Sequence, residues 1–400
     1  MPESRSTNAR TGPLAGIKVV EFVGIGPGPM CGMLLADLGA EVLRIDRTTP
    51  SGLGIERPER FDLLLRGKQT IAVDLKQPAG LALARAVVAR ADALIEGFRP
   101  GTMERIGLGP DDCLAANPRL VYGRVTGFGQ DGPLATAAGH DLNYIALTGA
   151  LHAIGRQGAA PTPPLNLLGD YAGGALLLAF GIVSALLNAR QGGRGQVVDA
   201  AMIDGAAALM TPFFGLMAAG LHDGPRGTNL LDSGAPFYDV YRCADGEYVS
   251  IAPIEAKFRA VLVERLAAAG VDTEALVGFD DRARWPALRA RLSEIFAART
   301  RAEWCTLLEG SDACFAPVLA PREAPAHPHH AARASFVRID GIDQPAPAPR
   351  FSATPAALPV GPRPGEDGRE VALAWGVARA DVEAALGPAK GAAAAQRLKR

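Results

Sequence analysis

Apolar positions in the first third of the chain fall into short β-branched runs separated by amphipathic stretches. Ile17–Val23 reads as a strand apolar along most of its length, as expected when both faces are covered. A glycine-rich turn, Gly24–Gly28, follows, then a helix from Met30 to Leu38 stopped at Gly39. Glu41–Ile45 predicts a second strand. The unit recurs with Thr70–Val73 as a strand, Gly80–Arg90 as an amphipathic helix, and Ala93–Ile95 and Leu120–Val125 as further strands. Strand alternating with helix implies an α/β fold: a Rossmann-like, doubly wound parallel sheet with right-handed crossovers.

The pattern changes past Arg190. Gly192–Gly195 predicts a turn, Gln196–Asp199 a strand, about 200–220 a long Ala- and Met-rich helix, and 222–234 a loop. Asp239–Cys243 and Tyr248–Ile251, joined by Ala244–Glu247, predict a hairpin that opens a smaller α+β domain with two or three helices. The expected division is a disordered lead-in over 1–12, a large domain over 13–200, a linker helix and loop over 201–235, and the small domain over 236–320. Residues 321–358 are expected to return to the large domain, and 359–400 to form an Ala- and Pro-rich tail. The longest apolar stretch, Ala172–Leu187, has sixteen residues including three glycines, which predicts a buried helix rather than a membrane span.

Composition narrows the chemistry. Across 400 residues, 48% apolar content supports real cores, and 41 basic against 42 acidic residues leave no overall field to hold nucleic acid or an anionic membrane. Any anion site must be local. Five scattered cysteines without a C-x-x-C pair argue against a disulfide scaffold or zinc ribbon and for a reducing compartment. The polar first twelve residues lack the apolar core of a signal peptide, and Leu398-Lys399-Arg400 matches neither a peroxisomal nor a reticulum-retention address, so the cytoplasm is expected. Serine-hydrolase, P-loop and zincin signatures are missing.

Several candidates remain. The Gly24–Pro29 turn has the place of a dinucleotide fingerprint, but its last position is Pro29 and two of its residues lack a backbone donor, which favours a tight structural turn. Basic residues near strand ends (Arg44, Arg47, Arg66, Lys68, Lys76, Arg99, Arg105) either converge on a phosphorylated ligand or are ordinary surface charge. His140 sits among small residues that leave its ring accessible. Asp170, at the start of a long apolar helix, reads as an N-cap or as a carboxylate beside free amides that would suit an oxyanion. His327, His329 and His330 lack partners at ligand spacing and read as an exposed linker, with no metal expected.

Gly12–Glu21, Leu35–Val42, Arg99-Pro100-Gly101, Ala138–Tyr144, Pro163–Asp170 and Asp232–Tyr238 occur in an order that resembles the class III coenzyme A transferase superfamily, most of all its racemase branch acting on 2-methylacyl-CoA thioesters. The resemblance spans about residues 12–352. It implies an interlocked homodimer with each active site shared between the large domain of one chain and the small domain of the other. It further implies His140 and Asp170 as the proton-transfer pair, Glu255 as the carboxylate orienting His140, and Asn166 as the partner of Asp170. The coenzyme of the substrate would be held by Arg47, by Val73, Asp74, Leu75 and Lys76, by Gly97, Phe98 and Arg99, by Arg105, and by Gly139, Asp141, Leu142, Asn143 and Tyr144. Arg44, Arg66 and Lys68 stay unassigned, and no cofactor beyond the substrate's own CoA is implied.

The residue types suit the chemistry. Inverting a carbon α to a thioester needs one group to take a proton from one face and another to return one to the opposite face, which a histidine and a carboxylate provide. In the superfamily's transferases the matching aspartate is instead a nucleophile. His140 favours the racemase, because a transferase has no need of it. A non-catalytic acyl-CoA binder would have no use for the whole set. Met202, Met210 and Met217 read as core of the linker helix or as an adaptable surface for the acyl chain.

Overall fold

A computed structural model describes residues 10–49, 51–362 and 368–388. Residues 1–9 of the expected lead-in, and 363–367 and 389–400 of the expected tail, lie outside them. The chain divides into two units: the first contains the residues up to 148, 165–209 and those from 337 onward, and the second contains 149–164 and 210–336. The span expected as one large domain over 13–200 is thus interrupted, with 149–164 belonging to the second unit.

The first unit is built on six parallel strands: β1 Lys18–Phe22, β2 Glu41–Asp46, β3 Lys68–Ala72, β4 Ala93–Glu96, β5 Val121–Thr126 and β6 Val197–Ala201. Their order is β3-β2-β1-β4-β5-β6, the doubly wound arrangement that reverses direction between β1 and β4 and opens a crevice at the carboxyl ends there. The first crossover helix is Pro27–Asp37. It starts three residues before the expected Met30 because Pro27 and Pro29 sit in its first turn, where a missing N–H costs nothing.

Both faces of the sheet are covered. On one, Phe22, Leu43 and Leu94 pack with Leu83 and Val87 of the helix Pro78–Val88. The same core takes in Ala372, Trp375, Val377 and Val382, so the two C-terminal helices, Gly368–Ala374 and Arg379–Leu386, are part of the large unit's interior rather than an extension. Trp375 Nε1 donates to Glu41 Oε2 at 2.9 Å. The other face is covered by Cys31 and Leu35 and by Ala175, Leu178 and Ile182 of a long helix, Leu167–Arg190. At 24 residues this helix exceeds the sixteen-residue apolar stretch and, among the described residues, is the one long and apolar enough to cross a membrane, although one side of it packs on the sheet. The linker helix expected over 200–220 is two helices, Met202–Leu209 and Thr211–Ala218. Pro212, in the first turn of the second, breaks the ladder.

Charges that the sequence left unassigned are internal. Lys68 Nζ lies 2.5 Å from Glu21 Oε2 and donates to the Pro29 carbonyl at 2.8 Å, Arg44 pairs with Asp46 at 3.1 Å, and Arg66 pairs with Asp37 at 2.5 Å and donates to Gln344. All three are buried and paired with carboxylates of the chain itself, although Arg44 Nε has no hydrogen-bond partner among the described residues, and this pairing removes them as ligands for a coenzyme.

In the second unit, β7 Asp239–Arg242 and β8 Tyr248–Ile251 form the expected antiparallel hairpin, to which β9 Phe315–Val318 adds a third strand. Helices Ala256–Ala268, Trp285–Ala297 and Arg301–Leu308 pack on it around Phe237, Phe296 and Trp304. His327 caps the short helix Pro328–Arg333 and pairs with Glu309 at 2.8 Å.

Candidate active site

At the carboxyl ends of the strands, an open cleft of about 580 Å³ is lined by Ile25-Gly26-Pro27 after β1, Gly97–Pro100 after β4, Thr126–Phe128 at the end of β5, and Gly139, His140, Asn143, Tyr144, Asp170 and Met202. His140 and Asp170 thus share one cavity. His140 is the N-cap of the helix Asp141–Leu147, and its N–H donates to Asn143 Oδ1 at 3.1 Å. The Tyr144 hydroxyl donates to the Gly139 carbonyl, fixing the backbone just before the histidine. Only glycine fits on either side of that ring, since a Cβ at Gly127 or Gly139 would come within 2.2 or 2.8 Å of it. Burial first, then Asp170 and Asp141, push the Tyr144 hydroxyl up to about 12, so it stays protonated as a donor.

Asp170 is not an N-cap. It is the fourth residue of the long helix, whose cap is Asn166 and whose first ten residues, Leu167–Leu176, wind as a π-helix, a form frequent at functional sites. The Asn166 side chain leaves the helix end and donates from Nδ2 to Asp170 Oδ2 at 3.1 Å. The capping oxygen comes from elsewhere: Asp141 Oδ2 accepts the N–H groups of Gly169 at 2.6 Å and Asp170 at 2.7 Å. Those amides, expected to stand free for an oxyanion, are therefore taken. By contrast the amides of Asp141 and Leu142, in the first turn after His140, have no acceptor among the described residues.

Burial raises the Asp170 pKa from its ordinary value. The Asn166 hydrogen bond opposes that shift, Asp141 adds to it, and His140 opposes it. Asn166→Ala is accordingly expected to move the acid limb of any Asp170-dependent rate to higher pH, measured as the pH profile of kcat/KM; an unmoved limb would mean that the bond does not govern the titration.

The remaining expected residues divide. Arg47 follows β2, Val73–Lys76 follow β3 and Arg105 lies beyond β4, all on the sheet edge that holds the cleft, and Arg47, Lys76, Arg99 and Arg105 are exposed. Of these four cations Arg99 lines the cavity itself. Val73 is a core residue, and the Asp141 side chain is buried as the helix cap, so each can offer a ligand only its backbone. Leu142 is exposed beside His140. Glu255 belongs to the second unit, where it caps the helix Ala256–Ala268. Sequence reading missed Gly26 and Ile25. Gly26 has φ +65, and a Cβ there would lie 3.1 Å from Asp170 Oδ2, so the glycine turn read as structural is pressed against the Asp170 carboxylate. Its sequence signal was the G-x-G after a buried strand.

The model of CoA-transferase family III matches residues 14–368. The chain belongs to that family. Among its curated relatives, alpha-methylacyl-CoA racemase of Mus musculus is 45% identical over 373 residues, covering 92% of this chain and 95% of the relative. The Homo sapiens racemase is 42% identical over 374 residues, with the same coverage. A CAIB/BAIF family protein from Brucella suis superposes with a TM-score of 0.78 at 26% identity, over 92% of this chain and all of that one.

Proposed function

We propose that this chain is an α-methylacyl-CoA racemase, an isomerase that interconverts (2R)- and (2S)-2-methylacyl-CoA by 1,1-proton transfer through an enolate. The observation that carries the reading is the presence of His140 and Asp170 in one cleft, with the carboxylate held at a raised pKa by burial. A base must take a weakly acidic α-proton and its conjugate acid must return one near neutral pH, and a carboxyl shifted upward comes closer to that requirement. The relatives named racemase support the substrate class. The enolate oxygen would be met by the unclaimed amides of Asp141 and Leu142 at the positive end of the Asp141–Leu147 helix. Arg99, Arg47, Lys76 and Arg105 would hold the phosphates of the coenzyme, and no group beyond the substrate's own CoA is needed. Asp170 as the nucleophile of a CoA transferase is the alternative within the family.

The deciding experiment follows a (2R)- or (2S)-2-methylacyl-CoA by proton NMR in deuterated water, with no acceptor acid present. Loss of the α-proton signal and convergence of both epimers on one mixture supports the racemase. If no exchange occurs and CoA moves to an added free acid, the reading is wrong and Asp170 is a nucleophile.

We also propose that two copies associate, with Glu255 of one chain serving His140 of the other. Support comes from Leu176, Phe180, Val183 and Leu187, which are exposed on one face of the long helix while Leu178 and Ile182 are buried. A stripe of large apolar side chains left in water marks an interaction surface. Co-expressed His140→Ala and Glu255→Ala chains are expected to regain roughly a quarter of the wild-type rate, because half the random dimers would hold one intact site. No recovery would place Glu255 in its own chain's site or outside the site altogether.

A further inference from the structure

Resting on the racemase reading, we propose that Leu53 and Ile55, on the loop after β2, form the wall that receives the acyl chain and set the preference for long, apolar substrates. Four observations place them. Leu53 lines the cleft that holds His140 and Asp170. Gly54, between the two residues, lies against Ile25, where a Cβ would stand 3.2 Å from Ile25 Cγ2, and Ile25 adjoins Gly26, which touches Asp170. The loop is therefore two contacts from the reacting carboxylate. Leu53 is 65% and Ile55 84% exposed, a large apolar pair that nothing among the described residues covers. The backbone around them is held instead: Leu53 N–H donates to Ser51 Oγ at 3.2 Å, and Arg57 reaches the Ile55 carbonyl at 3.1 Å and Asp62 at 2.7 Å.

The cleft is thereby asymmetric. Arg99 supplies a cation for the coenzyme end, while Ile25 and Leu53 supply apolar surface in the cleft that holds Asp170, and Ile55 extends it along the loop. A thioester with its α-carbon at the acid–base pair and its phosphates toward the arginine would run its alkyl chain along this loop, and a longer chain would remove more of Leu53 and Ile55 from water. Gly52 and Gly54, with φ +67 and +80, hold conformations that a side chain would strain, so the loop's course depends on both.

The test compares 2-methylbutanoyl-CoA and 2-methyldodecanoyl-CoA in the full-length wild type and in a Leu53→Ser/Ile55→Ser double variant, with Leu53→Met/Ile55→Leu as the conservative control. Both kcat and KM for epimerisation are measured, together with each Kd by calorimetry. The serine variant is expected to lower the long-to-short ratio of kcat/KM by about tenfold, mainly through KM, with the same change in the ratio of affinities, and the control to restore it. Equal loss on both substrates would assign the loop to the coenzyme and overturn the inference, as would an unchanged ratio. If the wild type epimerises neither substrate, the racemase reading fails by itself, and the affinity ratio still decides the role of the loop.

Discussion

Asp170→Asn is expected to abolish epimerisation, lowering the rate by roughly 10²–10⁴-fold, while leaving deuterium exchange at the α-carbon of one starting epimer and not the other. Asparagine keeps the shape and the contact with Gly26 but cannot take a proton. His140 then remains as the sole base, able to reach one face of the substrate, so it removes and returns hydrogen with retention. His140→Ala is expected to give the mirror result, exchange confined to the opposite epimer. Following both epimers of 2-methyldodecanoyl-CoA by NMR in deuterated water checks this, and it also assigns each base to its face. Equal exchange of both epimers in Asp170→Asn would remove Asp170 from the proton-transfer pair.

The second large effect is expected at the Asp141 side chain, which caps the neighbouring helix. Its carboxylate is buried and accepts both helix-start amides, those of Gly169 and Asp170. Asp141→Ala leaves two N–H groups without an acceptor at the helix end that carries the Asp170 carboxylate. With each bond to a charged group worth roughly 1.5–3 kcal/mol, a stability loss of about 3–6 kcal/mol is expected in denaturant unfolding, accompanied by a fall in kcat as Asp170 loses its fixed place. Asp141→Asn keeps an acceptor oxygen and removes a negative charge. It should therefore be milder in stability and move the Asp170 limb of the pH profile downward, opposite to Asn166→Ala. The sign follows from the two influences: Asp141 raises the Asp170 pKa and Asn166 lowers it. A limb that moves the same way in both variants would refute this account of the titration.

Much of the first unit was legible because its strands are buried on both faces and read as apolar runs, as Val19-Val20 and Leu94-Ile95 do. The helix around Asp170 was not. Its capping oxygen comes from Asp141, 29 residues away, and no local pattern announces a cap supplied by another helix. The cations divided for a similar reason. Arg44, Arg66 and Lys68 look like Arg99 or Lys76 along the chain, and only the pairing of neighbouring strands and helices shows that Glu21, Asp46 and Asp37 consume them. His140 was accessible as expected from its small neighbours, but the part of Tyr144 in fixing it depends on two glycines, Gly127 and Gly139, that meet only in the fold. The Ala-rich end of the chain misled by composition: Trp375, Val377 and Val382 are too few to read as a core segment, yet they close one face of the sheet.

That closing segment bears on how the protein is made. The last strand of the large sheet, β6, ends at Ala201, but the face holding Leu43 and Phe22 gains Ala372, Trp375 and Val382 only when the final helices have been synthesised. At translation rates of roughly 5–20 residues per second, a nearly complete sheet would wait on the order of ten seconds or more with that apolar surface partly open. During that interval the second unit, most of it continuous in sequence from 210 to 336, can fold on the ribosome. The nascent large unit is thus the natural client for a chaperone, and a ribosome stalled before residue 368 would hold an exposed, aggregation-prone sheet beside a finished smaller unit.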